Sequence, residues 1–184
     1  MLVVAGVAAG CGVSGAAPEA GRIRPAETSV PKGTSDPRAR GAVAAYEAFT
    51  RTTIEALKKP LADSRGYPDA ADFTRFSFDP VESEFEATMK LLSQANGQFR
   101  GTPPQSHLTV TSIDQDASPW PTVTLSDCKT GQDAWQAFTV GSNKRLPGLE
   151  PSIPSPYGAT ITVIYNQQRW GVNTITLDSS RTCP

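Results

Sequence analysis

The chain changes its hydrophobic rhythm near residue 100 of its 184. Before that point the spacing is helical. In "SDPRARGAVAAYEAFTRTTIEALKKPL", Val43, Tyr46, Phe49, Thr53, Ile54 and Leu57 recur every three or four residues, which predicts one apolar stripe on a helix. Asp36 is the expected cap, Pro37 occupies the first turn where its missing N–H costs nothing, and Lys58 and Lys59 complement the negative end before Pro60 stops the helix. A second helix follows the same grammar: Asp79 caps, Pro80 opens and Gly97 after Asn96 closes, with Val81, Phe85, Met89, Leu92 and Ala95 on its apolar face. Between the two, "YPDAADFTRFSF" predicts a short helix starting at Pro68 or Asp69, with Phe73 and Phe76 turned inward.

After residue 100 the period becomes two. The segments "HLTVTSID", "PTVTLSDC", "AWQAFTV", "YGATITVIYN" and "RWGVNTITLD" are rich in Thr, Val, Ile and aromatic residues and predict antiparallel strands. Helices first and strands afterwards is the order of an α+β fold: two long helices and a short one packed on a curved antiparallel β-sheet. In the fourth segment Ala159, Ile161, Val163 and Tyr165 share one face, and Thr160, Thr162 and Ile164 the other. These faces are unequal, so one is expected under the helices and the other toward water. Gln167 and Gln168 alone separate the last two strands, which predicts a tight hairpin without the preferred Asn-Gly turn. The proline-rich "GSNKRLPGLEPSIPSP" is expected to be a long loop.

The first residues fit neither rhythm. "MLVVAGVAAGCG" is apolar for about half the roughly 20 residues that a membrane-spanning helix needs. Its length and the small residues Ala8, Ala9 and Gly10 suit a secretory signal. With Cys11 directly after them, the stretch resembles the lipobox of bacterial lipoproteins, which implies acylation of that cysteine and cleavage before it. Ala8 stands where that family prefers Leu, and no Lys or Arg lies between Met1 and Cys11, so an upstream start codon is expected to supply the basic start. From Gly12 to Asp36 the chain is small, proline-broken and holds one large apolar residue, Ile23, too little to offset the entropy of ordering. It reads as a tether with an r.m.s. reach of roughly 25 to 30 Å. The expected organisation is therefore a signal with its lipobox cysteine at 1–11, a disordered tether at 12–36 and one domain at 37–184.

Charge narrows the partners. Seventeen basic against 18 acidic side chains create no field to attract nucleic acid. Once Cys11 is set aside, Cys128 and Cys183 remain, and an even number in an exported chain suggests a disulfide. It would close a loop of about 56 residues and contribute roughly 4 kcal/mol in the chain-entropy model. A metal held by the two thiols is the alternative, with no CxxC pair and a single histidine, His107, against it.

Two capped helices around a short one, followed by a curved antiparallel sheet, resemble the nuclear-transport-factor-two-like fold, a cone whose helices close over a concave sheet. "AAYEAFTRTTIEALKKP", "TVTLSDC", "RWGV" and the cysteine near the end, in that order, more narrowly resemble a group of small exported or lipid-anchored proteins of high-GC Gram-positive bacteria. The resemblance covers residues 39–183 and implies a disulfide between Cys128 and Cys183; it implies no chemistry, cofactor or metal.

For function, a binding domain is the leading expectation. Tyr46, Phe49, Trp120, Trp135 and Trp170 are the aromatic residues available to line a pocket in the cone, and Trp120, between two prolines, is the one expected outside the core. The partners expected are the membrane, through the lipid on Cys11; a small apolar ligand or another envelope protein; and a second copy of the chain through the open sheet. The location that follows is the extracytoplasmic face of the cell membrane, or secretion. An assembly role in envelope machinery is a further class. The alternative is a dehydratase or isomerase of the kind the cone hosts, for which Asp72, Asp79, Asp114, Asp127, Tyr46, Tyr165 and His107 are the candidates. Against it, Asp79 is accounted for as a cap, Asp72 as helix surface, and Asp127 as facing away from its neighbour Cys128.

Overall fold

The computed structural model describes residues 36–131, 134–149 and 156–178. The signal, most of the tether, part of the proline-rich loop and Cys183 lie outside the described residues. Helix α1 is Arg40–Lys58 and helix α2 is Val81–Gln94, with short 3-10 turns at Ser64–Gly66 and Phe73–Phe76 between them. Six strands follow: β1 Gly97–Gly101, β2 Gln105–Asp114, β3 Thr122–Thr130, β4 Trp135–Thr139, β5 Tyr157–Asn166 and β6 Arg169–Asp178. The α+β class expected from the pattern is thus found, with both helices on an antiparallel sheet.

The helix boundaries show which local signals prevailed. Helix α1 begins three residues after Pro37, because Asp36 closes a separate turn: its carbonyl accepts from Ala39 N at 3.0 Å and its carboxylate from Arg38 N at 2.9 Å. At α2, Asp79 serves as expected, accepting from the backbone N–H of Ser83, although Pro80 holds the cap position itself. Helix α2 ends without using Gly97 as its stop. Asn96 takes the left-handed conformation at φ 48°, and Gly97 opens β1. The short helix is two features, a turn and the 3-10 segment capped by Asp72, whose carboxylate accepts from Thr74 N.

Instead of the single sheet expected, the strands form two. Strands β2, β3, β5 and β6 make a four-stranded antiparallel sheet in that order, and β1 pairs with β4 alone. Strand β1, "GQFRG", carries too little apolar alternation between its terminal glycines to have been read as a strand. Two clusters fill the interior accordingly. The larger joins Val43, Tyr46 and Phe49 of α1 to Val110, Val123, Leu125, Ile161, Val163 and Val172 of the sheet. Phe85 of α2 meets Phe49 edge-on at 5.1 Å between centroids and Phe73 at 6.2 Å, so the two helices and the 3-10 turn share one aromatic seam. The smaller cluster stacks Phe99 on Trp135 at 5.6 Å beneath Leu92.

Arg169 at the start of β6 closes the far side. Its guanidinium lies 4.0 Å from the centre of the Phe78 ring and donates to the carbonyls of Arg75 and Ser77, both at 3.0 Å. The β5–β6 pairing carries a bulge whose extra residue is Asn173 of β6, while β5 stays in unbroken register with β3. At the end of β5 Ile164 is buried and Tyr165 exposed, the reverse of the parity set by Ile161 and Val163. The hairpin is as tight as expected: Gln167 and Gln168 sit at φ 50° and 62°. Both positions favour Asn and Gly over glutamine. Replacing the pair by an Asn-Gly turn, Gln167→Asn together with Gln168→Gly, should therefore stabilise the protein by about 1 kcal/mol in urea unfolding.

Candidate functional site

A polar cluster around one buried carboxylate joins α1 to the sheet. Ser106 of β2, Asp127 and Lys129 of β3 and Tyr157 of β5 follow the inward-facing parity of their strands, the parity of Leu108, Leu125 and Ala159. Tyr46 meets them from the middle of α1. The Asp127 side chain has no exposed surface. Its Oδ2 accepts from Tyr46 Oη at 2.7 Å, from Ser106 Oγ at 2.5 Å and from Lys129 Nζ at 2.8 Å. Lys129 also donates to Ser106 Oγ at 3.2 Å and lies 5.5 Å from the centre of the Tyr46 ring. Three donors thus converge on one oxygen, while Oδ1 has no hydrogen-bond partner among the described residues.

The electrostatics follow from that geometry. Burial would raise the Asp127 carboxyl, but the Lys129 ammonium, with the hydrogen bonds from Lys129, Ser106 and Tyr46, holds it below its ordinary value of 3.8. Burial, reinforced by the Asp127 charge, pushes the Tyr46 phenol well above its ordinary value and the Tyr157 phenol up to about 12. Both phenols are neutral at physiological pH. The Tyr46 and Ser106 hydroxyls both donate to the ionised Asp127 carboxylate, and Lys129 bridges that carboxylate and Ser106. What the arrangement does is fix α1 against β2 and β3.

Two cavities open among the described residues, one of them beside this cluster. One, of about 320 Å³, is lined by Tyr46, Glu47, Thr50, Arg51, Ile54, Glu55, Ser106 and Leu108, which puts it directly outside the cluster. The other, of about 610 Å³, is polar and lined by Asp63, Ser64, Arg65, Tyr67, Asp72, Thr74, Glu82 and Glu86. Burial, and then the charges of Glu86, Asp79 and Asp72, raise the Glu82 carboxyl there. Among the described residues no group of three or more His, Cys, Asp or Glu side chains is placed to hold a metal ion.

The five aromatic candidates do not gather in one pocket. Tyr46 and Phe49 belong to the larger core cluster and Trp135 to the smaller. Trp170 packs half-buried against α1, where a Cβ on Gly41 would come within 2.5 Å of its indole. Trp120 stands outside the core, as expected, at 40% exposure. Only Tyr46 of the five lines either cavity, because the others are spent filling the interior or sit at the surface. Among the acid–base candidates, Asp72 and Asp79 hold backbone turns, Asp114 accepts from Asp116 N in the β2–β3 turn, and His107 is exposed on the outer face of the sheet. His107 lies opposite Cys128, which is disulfide-bonded. Ser106, Lys129 and Tyr157 were not singled out by sequence. The signal was there: Asp127 and Lys129 continue the inward alternation of Val123 and Leu125, which marks them as a charged pair on a buried face.

No known protein family and no curated protein matches the chain in sequence. In structure it is similar to the crystal structure of the intermembrane space region of the chloroplast protein ARC6, with a TM-score of 0.43 and 13% identity over 77% of this chain and 97% of that one.

The cluster makes a pH-dependent prediction. Because Asp127 titrates below 3.8 when folded, its contribution to stability is complete above the unfolded value and is lost as pH falls through the folded one. Lys129→Met removes the main opposing charge and leaves burial in control, raising the folded value above the unfolded. The sign then reverses, and stability declines as pH rises between the two values. Urea unfolding should show Lys129→Met costing about 3 to 5 kcal/mol near neutral pH and markedly less near pH 3. A deficit independent of pH would show that Asp127 is not the group left uncompensated.

Proposed function

We propose that the chain is a lipid-anchored, extracytoplasmic domain that binds or assembles with another component of the cell envelope and does not act as a pocket enzyme. The observation that carries this reading is the outer face of the four-stranded sheet. Thr109, Ser126, Thr160 and Thr176 stand in register across all four strands, and Ser112, Thr124, Thr162 and Thr174 form a second such row. Each of the eight is exposed or half-exposed. Two rows of hydroxyls on a rigid, hydrogen-bonded scaffold suit a flat, polar partner surface better than an apolar ligand. The helix-facing side, by contrast, is largely filled by the core, and of the five aromatic candidates Tyr46 alone lines the cavity there.

The anchor and location rest on Cys11 and the small residues before it, and the disulfide at Cys128 supports an oxidising compartment. Cys183 is its proposed partner. We read the helix–helix–sheet order as a variant of the nuclear-transport-factor-two-like cone in which the small β1–β4 sheet stands apart from the main one. No described helix is long and apolar enough to cross a membrane. In this reading a lipid on Cys11 supplies the attachment.

Mass spectrometry of cross-linked native membranes tests the proposal. It should return an N-terminal peptide beginning at an acylated Cys11, a Cys128–Cys183 linked peptide, and cross-links to an envelope protein that map to β2, β3, β5 and β6 and disappear in Thr160→Lys. Recovery from the soluble fraction with residues 1–10 still attached, and no cross-link that Thr160→Lys removes, would contradict it.

A further inference from the structure

We propose that the end of the domain bearing Trp120 and Tyr165 seats in the interfacial layer of a phospholipid bilayer; the proposal rests on the lipid-anchor reading above and supplies the orientation that reading lacks. Trp120 and Tyr165 are each 40% exposed, a large aromatic surface to leave in water at one end of a small domain. They are neighbours. The backbone N–H of Tyr165, near the end of β5, donates to the carbonyl of Pro121 at 2.9 Å, which brings the strand end against the Pro119–Pro121 segment that carries Trp120. The Tyr165 ring then leans on Trp170 with centroids 5.4 Å apart.

The chain enters the domain at this same end. Trp170 lies on the first turn of α1 at Gly41, and Gln115 in the β2–β3 turn donates its side-chain N–H to the carbonyl of Arg38 at 3.4 Å. The residues that lead back toward Cys11 therefore leave the domain beside the exposed aromatic pair. Between Cys11 and Asp36 stand 24 residues, numbers 12 to 35, whose fully extended length of about 80 Å does not prevent contact. An anchored chain presents this end to the bilayer at high effective concentration, so a pair of aromatic residues too weak to bind membranes alone suffices to dock it.

The chemistry of the patch selects the interface and not the head-group charge. Trp and Tyr rings settle at the level of the head groups, where the apolar body is shielded and the N–H or O–H stays wet. The elements that meet at this end carry Arg38 and Arg40, Arg169, Asp114 and Asp116, and the amides of Gln167 and Gln168. Arg169 is already engaged with Phe78 and two carbonyls, so the signs are mixed. Docking is accordingly expected to be insensitive to salt and to the fraction of anionic lipid.

Tryptophan quenching by brominated lipid reads the contact. The full-length chain is coupled through Cys11 to a maleimide lipid in vesicles of phosphatidylcholine with a minority of phosphatidylglycerol, so that the test does not depend on whether the cell acylates that cysteine. Of the three tryptophans Trp135 is buried and Trp170 half-buried, so Trp120 should dominate the quench. Bromines placed shallow in the acyl chain should quench more than deep ones, and Trp120→Phe should reduce the effect roughly threefold with thermal stability unchanged. Equal quenching in Trp120→Phe and the parent chain, or none in either, would overturn the proposal. Quenching by the coupled protein together with an unacylated Cys11 in cells would uphold the aromatic contact and reject only the anchor.

Discussion

A carboxylate without exposed surface stays ionised in a protein interior only if opposite charge and hydrogen-bond donors replace the water it has lost. Asp127 meets that condition by drawing on three elements at once. Tyr46 comes from α1, Ser106 from β2 and Lys129 from its own strand, and all three donate to one oxygen. Their spacing leaves little freedom for α1 to slide or roll on the sheet, since displacing Tyr46 Oη would strip a donor from a buried charge. Apolar burial supplies most of the attraction between helix and sheet; the carboxylate selects one arrangement among those that would bury similar area.

The position of α1 in turn sets what the rest of the molecule can present. With Tyr46 and Phe49 in one core cluster with Leu125, Ile161 and Val163, most of the helix-facing side of the sheet is occupied, and the larger surfaces left for recognition are the outer face and the ends. The first turn of α1 lies on Trp170, which places the entry of the chain, Trp120 and Tyr165 together at one end of the domain. The hydroxyl rows occupy a different face. A domain held to a bilayer at its aromatic end would keep those rows directed away from the lipid, open to a partner in the envelope.

Much of this was legible in the order and period of the residues. Strands β5 and β6 match their sequence patterns at both ends, and the apolar stripe of α1 is buried at Val43, Tyr46, Phe49 and Thr53 as the spacing required. What local pattern did not contain was pairing. Strand β1 is a strand because β4 pairs with it, and the β5–β6 register slips by one residue at Asn173. Reading Asp127 as facing away from Cys128 was correct in geometry; its consequence was missed, because facing away from Cys128 means facing the core. The aromatic residues failed as pocket markers for a related reason: in a domain this small they supply the bulk of the buried area, and a sequence does not distinguish a ring that lines a cavity from one that fills it.

The most direct test of the account is a double-mutant cycle between α1 and the sheet, using Tyr46→Phe, Asp127→Asn and the combined variant, with stability measured by urea unfolding near neutral pH. If the Tyr46–Asp127 bond fixes the helix, the two substitutions will be non-additive, with an interaction energy of about 1.5 to 3 kcal/mol, the range for a hydrogen bond to a charged group. Additivity to within about 0.5 kcal/mol would mean that α1 is placed by apolar packing alone and that the carboxylate does not organise the fold.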